Sequence, residues 1–217
     1  MSGLRAVLAA MSFLDIANAV AVVAQAMTAA LAAGRRRLDW FGVASLGCVT
    51  ALGGGSIRDV VLGHYPLSWV GEPWFLLLAA GAALATIPLA RVVRRMPKTF
   101  LVLDALGLVV FTVIGCNVAM GLGHGTIVAM VCGMATGCTG GVLRDLLCGD
   151  VPLVLRGELY ATVALATGGL YVTGLALGSP QDAVMLGAMC LGFGLRMLAI
   201  RNAWRLPTFA FDEEPRP

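Results

Sequence analysis

Two arginine–aspartate pairs sit where charge is most expensive. Arg58-Asp59 and Arg144-Asp145 close the stretches "GGGSIRD" at 53–59 and "TGGVLRD" at 139–145, and both stretches lie inside apolar runs. An arginine at bilayer depth costs at least about 2.5 to 3.5 kcal/mol on insertion scales, so such residues mark ion paths, relays or interhelical clasps. Neighbours in a helix do not face one another, which predicts a further partner for each arginine and each aspartate. Candidates are Asp15 and Asp104, near the starts of two other apolar runs, and Glu72 and Glu158 beyond the motifs.

The glycines before these charges suggest a second kind of chemistry. Gly47, Ala51 and Gly55, and likewise Gly133, Gly137 and Gly141, recur every fourth residue, the spacing that lets two helices approach closely in lipid. The consecutive glycines Gly53-Gly54-Gly55 and Gly140-Gly141 exceed what a ridge needs, and each costs about 1 kcal/mol relative to alanine inside a helix. They predict a kink or short unwinding halfway along each helix, with freed carbonyls facing a cavity. Backbone of that kind is tolerated in a membrane only where protein or water satisfies it, and its partial negative charge favours a cation. Thr50, Ser56, Thr136 and Thr139 would add oxygens.

Elements that position these residues follow from hydropathy. Of 217 residues 59% are hydrophobic and 12% charged, with mean hydropathy +0.89, against roughly 25% charged in soluble domains. Runs near 11–33, 39–62, 74–95, 100–120, 125–148, 157–178 and 182–203 have the length of about 20 residues that a bilayer-spanning helix requires. The expected fold is therefore an all-α membrane protein of one transmembrane domain. Asp15, Asn18 and Gln25 interrupt the first run too early for a cleaved secretory signal. The six cysteines fall within or at the ends of the spans, as packing thiols would.

A shift of 86 positions superposes Arg58 on Arg144, Asp59 on Asp145, Gly63 on Gly149, Pro66 on Pro152 and Glu72 on Glu158. Leu14-Asp15 aligns with Leu103-Asp104 at a slightly longer offset. This divides the chain into repeat 1 (11–98), repeat 2 (99–180), a seventh helix (181–205) and a tail (206–217). Three spans per copy make the copies inverted, an arrangement that commonly carries its substrate path near the midplane. Asp15, Arg58, Asp59 and Glu72 are then expected at one mouth, and Asp104, Arg144, Asp145 and Glu158 at the other, each set net negative. Arginine and lysine cluster after spans one, three and five and beside the C-terminus, placing that face in the cytoplasm and the N-terminus outside. Anionic lipid headgroups would gather there. The net charge of +3 calls for no nucleic acid. His64 and His124 lie in separate loops without a third ligand, so no metal or other cofactor is expected. No nucleophile–base set or phosphate-binding loop argues for an enzyme.

Seven spans arranged three, three and one, with the doubled Gly-Gly-x-x-Arg-Asp pattern in the second and fifth, resemble the bacterial branch of the trimeric intracellular cation channel family. The resemblance covers residues 11 to 203. It implies a homotrimer in a bacterial plasma membrane, each subunit with its own pore for monovalent cations such as potassium and sodium. By the matching motifs it implies kinks at Gly53, Gly54, Gly55, Gly140 and Gly141, with Arg58, Asp59, Arg144 and Asp145 as pore-associated charges. Thr139 stands where a third glycine would, which predicts a milder second kink. Bacterial relatives have also been described as glycine transporters, so a carrier of a small zwitterion is the second reading, and a scaffold with a dry interior the third.

Overall fold

A computed structural model describes residues 12–93, 98–156 and 159–207, with side chains left undescribed at 91–93. Eight α-helices occur among these residues, seven long and one of a single turn at Ser68–Gly71. The long ones are α1 (Phe13–Arg35), α2 (Trp40–Leu62), α3 (Trp74–Val93), α4 (Thr99–Gly121), α5 (Thr126–Leu147), α6 (Ala161–Ala176) and α7 (Gln181–Arg201). Five of them, α1, α2, α4, α5 and α7, are long and apolar enough to cross a membrane, while the apolar stretches of α3 and α6 are shorter.

Local chemistry sets the helix ends. Ser12 and Asp15 form a reciprocal capping box on α1, and Asp39 accepts from the Gly42 amide at the start of α2. Both motif-bearing helices end against a glycine in left-handed conformation, Gly63 (φ 66°) after α2 and Gly149 (φ 68°) after α5. A side chain would be strained at either position, which explains why glycine recurs there at the 86-residue shift. The next amide in each case, His64 or Asp150, donates to the carbonyl of Asp59 or Asp145 at 2.8 Å.

The helices pack as two similar trios. α1 contacts α2 and α3, which also touch each other, and α4 contacts α5 and α6 in the same way. Between the trios α1 meets α4 and α2 meets α5, while α7 lies on α4 and α6. Small residues make this packing close. Seven alanines of α1 are buried, and a Cβ at Gly133 or Gly137 would overlap the Thr112 or Leu108 carbonyl of α4. In lipid, where burial of apolar surface gains little, such backbone proximity supplies the dispersion contacts that hold helices together. All six cysteines are free thiols, and burial pushes that of Cys148, just past α5, above its usual range.

Both glycine-rich helices are continuous α-helix through their motifs. The expected unwinding, with carbonyls freed toward a cavity, is therefore absent. Glycine serves a different need here: α2 and α5 cross in opposite directions with their backbones in contact. A Cβ on Gly54 would run into the Thr136 carbonyl, and one on Gly140 into the Thr50 carbonyl. The 86-residue shift carries Thr50 to Thr136 and Gly54 to Gly140, so this pair of contacts maps onto itself. Gly53 lies under the Leu143 side chain.

Candidate functional site: two polar cavities either side of a helix crossing

At the end of the molecule where α1 starts and α2 finishes, a cavity of about 450 Å³ opens among α1, α2, α3, α4 and the Ser68–Gly71 turn. Asp15, Asn18, Arg58, His64 and Glu72 border it, and it extends to Ser56, Gly55 and Thr136 beside the helix crossing. Three of the four charges expected at this mouth thus share one cavity. The fourth, Asp59, is fully buried behind it.

Arginine and aspartate of the motif bind each other, contrary to the expectation from helix geometry. Arg58 Nε and Nη2 donate to Asp59 Oδ1 at 2.9 and 2.7 Å. In the second copy Arg144 Nε donates to Asp145 Oδ1 at 2.8 Å. Adjacent Cβ atoms diverge on a helix, but the long arginine side chain curls back far enough to bring its guanidinium onto the neighbouring carboxylate. The other oxygen of each aspartate holds the chain beyond the helix. Asp59 Oδ2 accepts from the Ser68 amide at 2.8 Å and hydroxyl at 2.7 Å, while Asp145 Oδ2 accepts from the Leu153 amide at 3.0 Å. Each motif is therefore a clasp that joins a helix end to the next helical turn.

The two copies differ in what else they hold. Arg144 also donates from Nη1 to Asp104 at 2.7 Å and to Thr28 at 3.0 Å, and its guanidinium lies 4.7 Å from the Phe100 ring centre. Arg144, Asp104 and Thr28 are buried and form a closed plug, with Phe100 half-buried beside them. Asp15, the counterpart of Asp104, instead accepts from the Ser12 amide and hydroxyl at its own helix start. Arg58 turns to the Ser68 hydroxyl at 2.9 Å, and His64 Nδ1 approaches Asp59 at 3.2 Å. One end is left open because its acid caps a helix rather than reaching the arginine.

The second cavity, about 540 Å³, lies where α1 and α5 end and α4 begins. Its charged lining is Arg35, Arg36 and Arg156 with Asp145 and Asp150. Among the described residues this differs from the expected net-negative second mouth, because Asp104 and Arg144 are sealed behind the cavity and arginines at the end of α1 and in a connecting segment supply the rim. Glu158 lies outside the described residues.

Hydroxyl groups of the predicted lining mostly bond to their own helix. Thr136, Thr139 and Ser56 donate to the carbonyls of Cys132, Ala135 and Leu52 at 2.7, 2.6 and 2.9 Å. Thr136 and Ser56 line the first cavity, whereas Thr139 and Thr50 border neither of these two cavities, and the Thr50 hydroxyl is buried without a partner among the described residues. Of the motif glycines, Gly55 lines the first cavity, and Gly141 lies beneath Asp104, Arg144 and Tyr160. Sequence reasoning missed Tyr160, which buries its ring against Arg196 at 4.9 Å, and Trp69, whose indole donates to Ser56 at 3.1 Å. A lone aromatic in a loop gives no periodic signal.

An all-helical membrane protein with a polar cavity and buried arginine clasps belongs to the class of channels and transporters rather than enzymes. A family model described as "Glycine transporter" matches residues 15–91 and again 101–176. The chain is 43% identical over 193 residues to the UPF0126 inner membrane protein YadS of Escherichia coli, covering 88% of this chain and 93% of that one. It is 33% identical over 202 residues to YvgT of Bacillus subtilis, covering 91% and 96%. The trimeric intracellular cation channel orthologue from Rhodobacter sphaeroides superposes with a TM-score of 0.85 at 35% identity, over 89% of this chain and all of that one. A structure described as the basis for conductance through such channels gives the same TM-score at 33% identity, covering 94% of this chain and all of that one. The chain belongs to this family, in the bacterial branch of the trimeric intracellular cation channels, and is a bacterial inner membrane protein.

Proposed function

We propose that the protein is a passive channel for monovalent cations, potassium and sodium among them, with one pore per subunit of a homotrimer. The observation that carries this reading is the polar cavity that runs from Asp15 and Glu72 down to Gly55 and Thr136 and stops at the α2–α5 crossing. Carboxylates at its entrance attract cations and repel anions. Arg58 does not oppose this, because Asp59 neutralises it. Deeper in, the Ser56 and Thr136 hydroxyls spend their protons on helix carbonyls, and their remaining lone pairs, one of those on Ser56 being taken by the Trp69 indole, serve a partly dehydrated ion.

The pore passes between two inverted three-helix halves, with seven spans in all. The antiparallel contact of α2 and α5, the repetition of Thr50 and Gly54 as Thr136 and Gly140, and the double family match support this. The crossing is the closed gate, and the consecutive glycines are where α2 and α5 bend to part. By the distribution of arginine and lysine the Arg35–Arg37 end faces the cytoplasm and the N-terminus lies outside. Cation channel relatives described as trimeric support the oligomer.

A carrier of a small zwitterion is the second reading, favoured by the family description and by a cavity that offers Arg58 to a carboxylate and Asp15 or Glu72 to an ammonium. Proteoliposomes separate the two. The channel reading predicts electrogenic potassium efflux down its gradient and no accumulation of labelled glycine against preloaded unlabelled glycine. Glycine counterflow without potassium current would establish the carrier instead.

A further inference from the structure

We infer that His64 is a proton-operated switch at the entrance of the first cavity, its protonation lowering cation flux; this rests on the channel reading. The His64 side chain is 39% exposed and borders the cavity, while its Nδ1 lies 3.2 Å from Asp59 Oδ1. An ionised carboxylate only accepts, so Nδ1 carries the hydrogen and Nε2 is the atom left to take a further proton. Left-handed Gly63 sets the place of the ring, because it ends α2 and turns the chain so that the His64 amide donates to the Asp59 carbonyl at 2.8 Å. Backbone and ring of one residue thus both hold to Asp59.

Few charged or titratable groups surround the ring among the described residues. α1 contributes Asp15, α2 contributes Arg58 and Asp59, and Glu72 follows the Ser68–Gly71 turn; the walls from α3, α4 and α5 are apolar side chains and Thr136, none of which titrates. Of these residue types only histidine ordinarily changes charge between about pH 5 and 8. Its protonation adds one positive charge to a wall whose carboxylates draw cations in. It also strengthens the His64 bond to Asp59 Oδ1, the oxygen that accepts from Arg58 Nε and Nη2 at 2.9 and 2.7 Å, so less of that carboxylate's charge remains to neutralise Arg58. Both changes oppose an entering cation. The second copy has no such switch, since the 86-residue shift puts Asp150 where His64 stands, and Asp150 pairs with Arg36.

Single-channel recording in dilute KCl at about pH 8 and about pH 5.5 tests this. A unit charge several ångströms from an ion in water changes the local ion concentration about two- to threefold, so the parent's conductance is expected to fall by about that factor on acidification. His64→Asn keeps an amide near the Nδ1 position but takes no proton, and its conductance should vary little with pH. His64→Arg carries the charge permanently and should stay low at both pH values. His124→Asn, at the exposed second histidine outside the cavity lining, should retain the parent's fall. The fall should also vanish near molar KCl, where exposed charges are screened. A pH-independent parent conductance, or an undiminished fall in His64→Asn or in molar salt, would overturn the switch and leave the channel reading in place; a parent without current at any pH would remove both. The two His64 variants read the charge in opposite senses, so either one decides if the other fails to fold.

Discussion

Arg144 and Arg58 occupy equivalent places in the two copies, yet their removal has unequal consequences. Without Arg144, Asp104 loses its charged side-chain donor and, among the described residues, Asp145 retains the Leu153 amide. An uncompensated buried charge of this kind costs about 3–5 kcal/mol. Arg144→Ala is therefore expected to lower the melting temperature in detergent severely, and adding Asp104→Asn should restore part of the loss. Asp59 without Arg58 still accepts from the Ser68 amide and hydroxyl and lies beside His64, so Arg58→Ala should destabilise much less. The acids at the open cavity lend themselves to a conductance measurement. Asp15→Asn and Glu72→Gln are expected to reduce single-channel conductance in dilute KCl and to differ little from the parent near molar salt, where exposed charges are screened.

In the closed state described here, helix-level contacts account for Gly54 and Gly140 without any unwinding. Gly54→Ala and Gly140→Ala place a methyl group against a facing carbonyl and should destabilise by about 1–3 kcal/mol, the usual cost of overpacking. Gly55→Ala meets nothing closer than Arg58 Nη2 at 3.8 Å and, relieved of glycine's cost inside a helix, should melt at or above the parent. A melting temperature for Gly54→Ala equal to that of Gly55→Ala would remove the close crossing from the account. The helices themselves were legible in the sequence. Apolar runs near 39–62 and 125–148 became α2 at 40–62 and α5 at 126–147, because bilayer thickness sets span length and Asp39, Gly63 and Gly149 mark ends. The pairing of Arg58 with Asp59 was not legible, because a rule about Cβ directions ignores the reach of a long side chain. Nor was the divergence of Asp15 from Asp104, which depends on a serine three residues before one of them. The expected unwinding at the glycines failed for a related reason: composition reports the cost of glycine, while only the facing helix reveals what that cost permits.

At the scale of the molecule, the two helix trios share a clasp and a crossing but differ in charge and closure. One end has an open cavity with carboxylates at its entrance; the other has a buried plug behind arginines. The recurrence of the clasp was legible from the 86-residue shift, but the basic second cavity was not, since its rim comes from α1 and from connecting segments far from either motif. The central claim is that cations cross each subunit by a continuous path when α2 and α5 part. Single-channel recording in planar bilayers under asymmetric KCl tests it most directly. The account predicts unitary currents whose reversal potential lies near the potassium equilibrium potential, whereas a reversal near that of chloride, or no unitary current from correctly inserted protein, would contradict it.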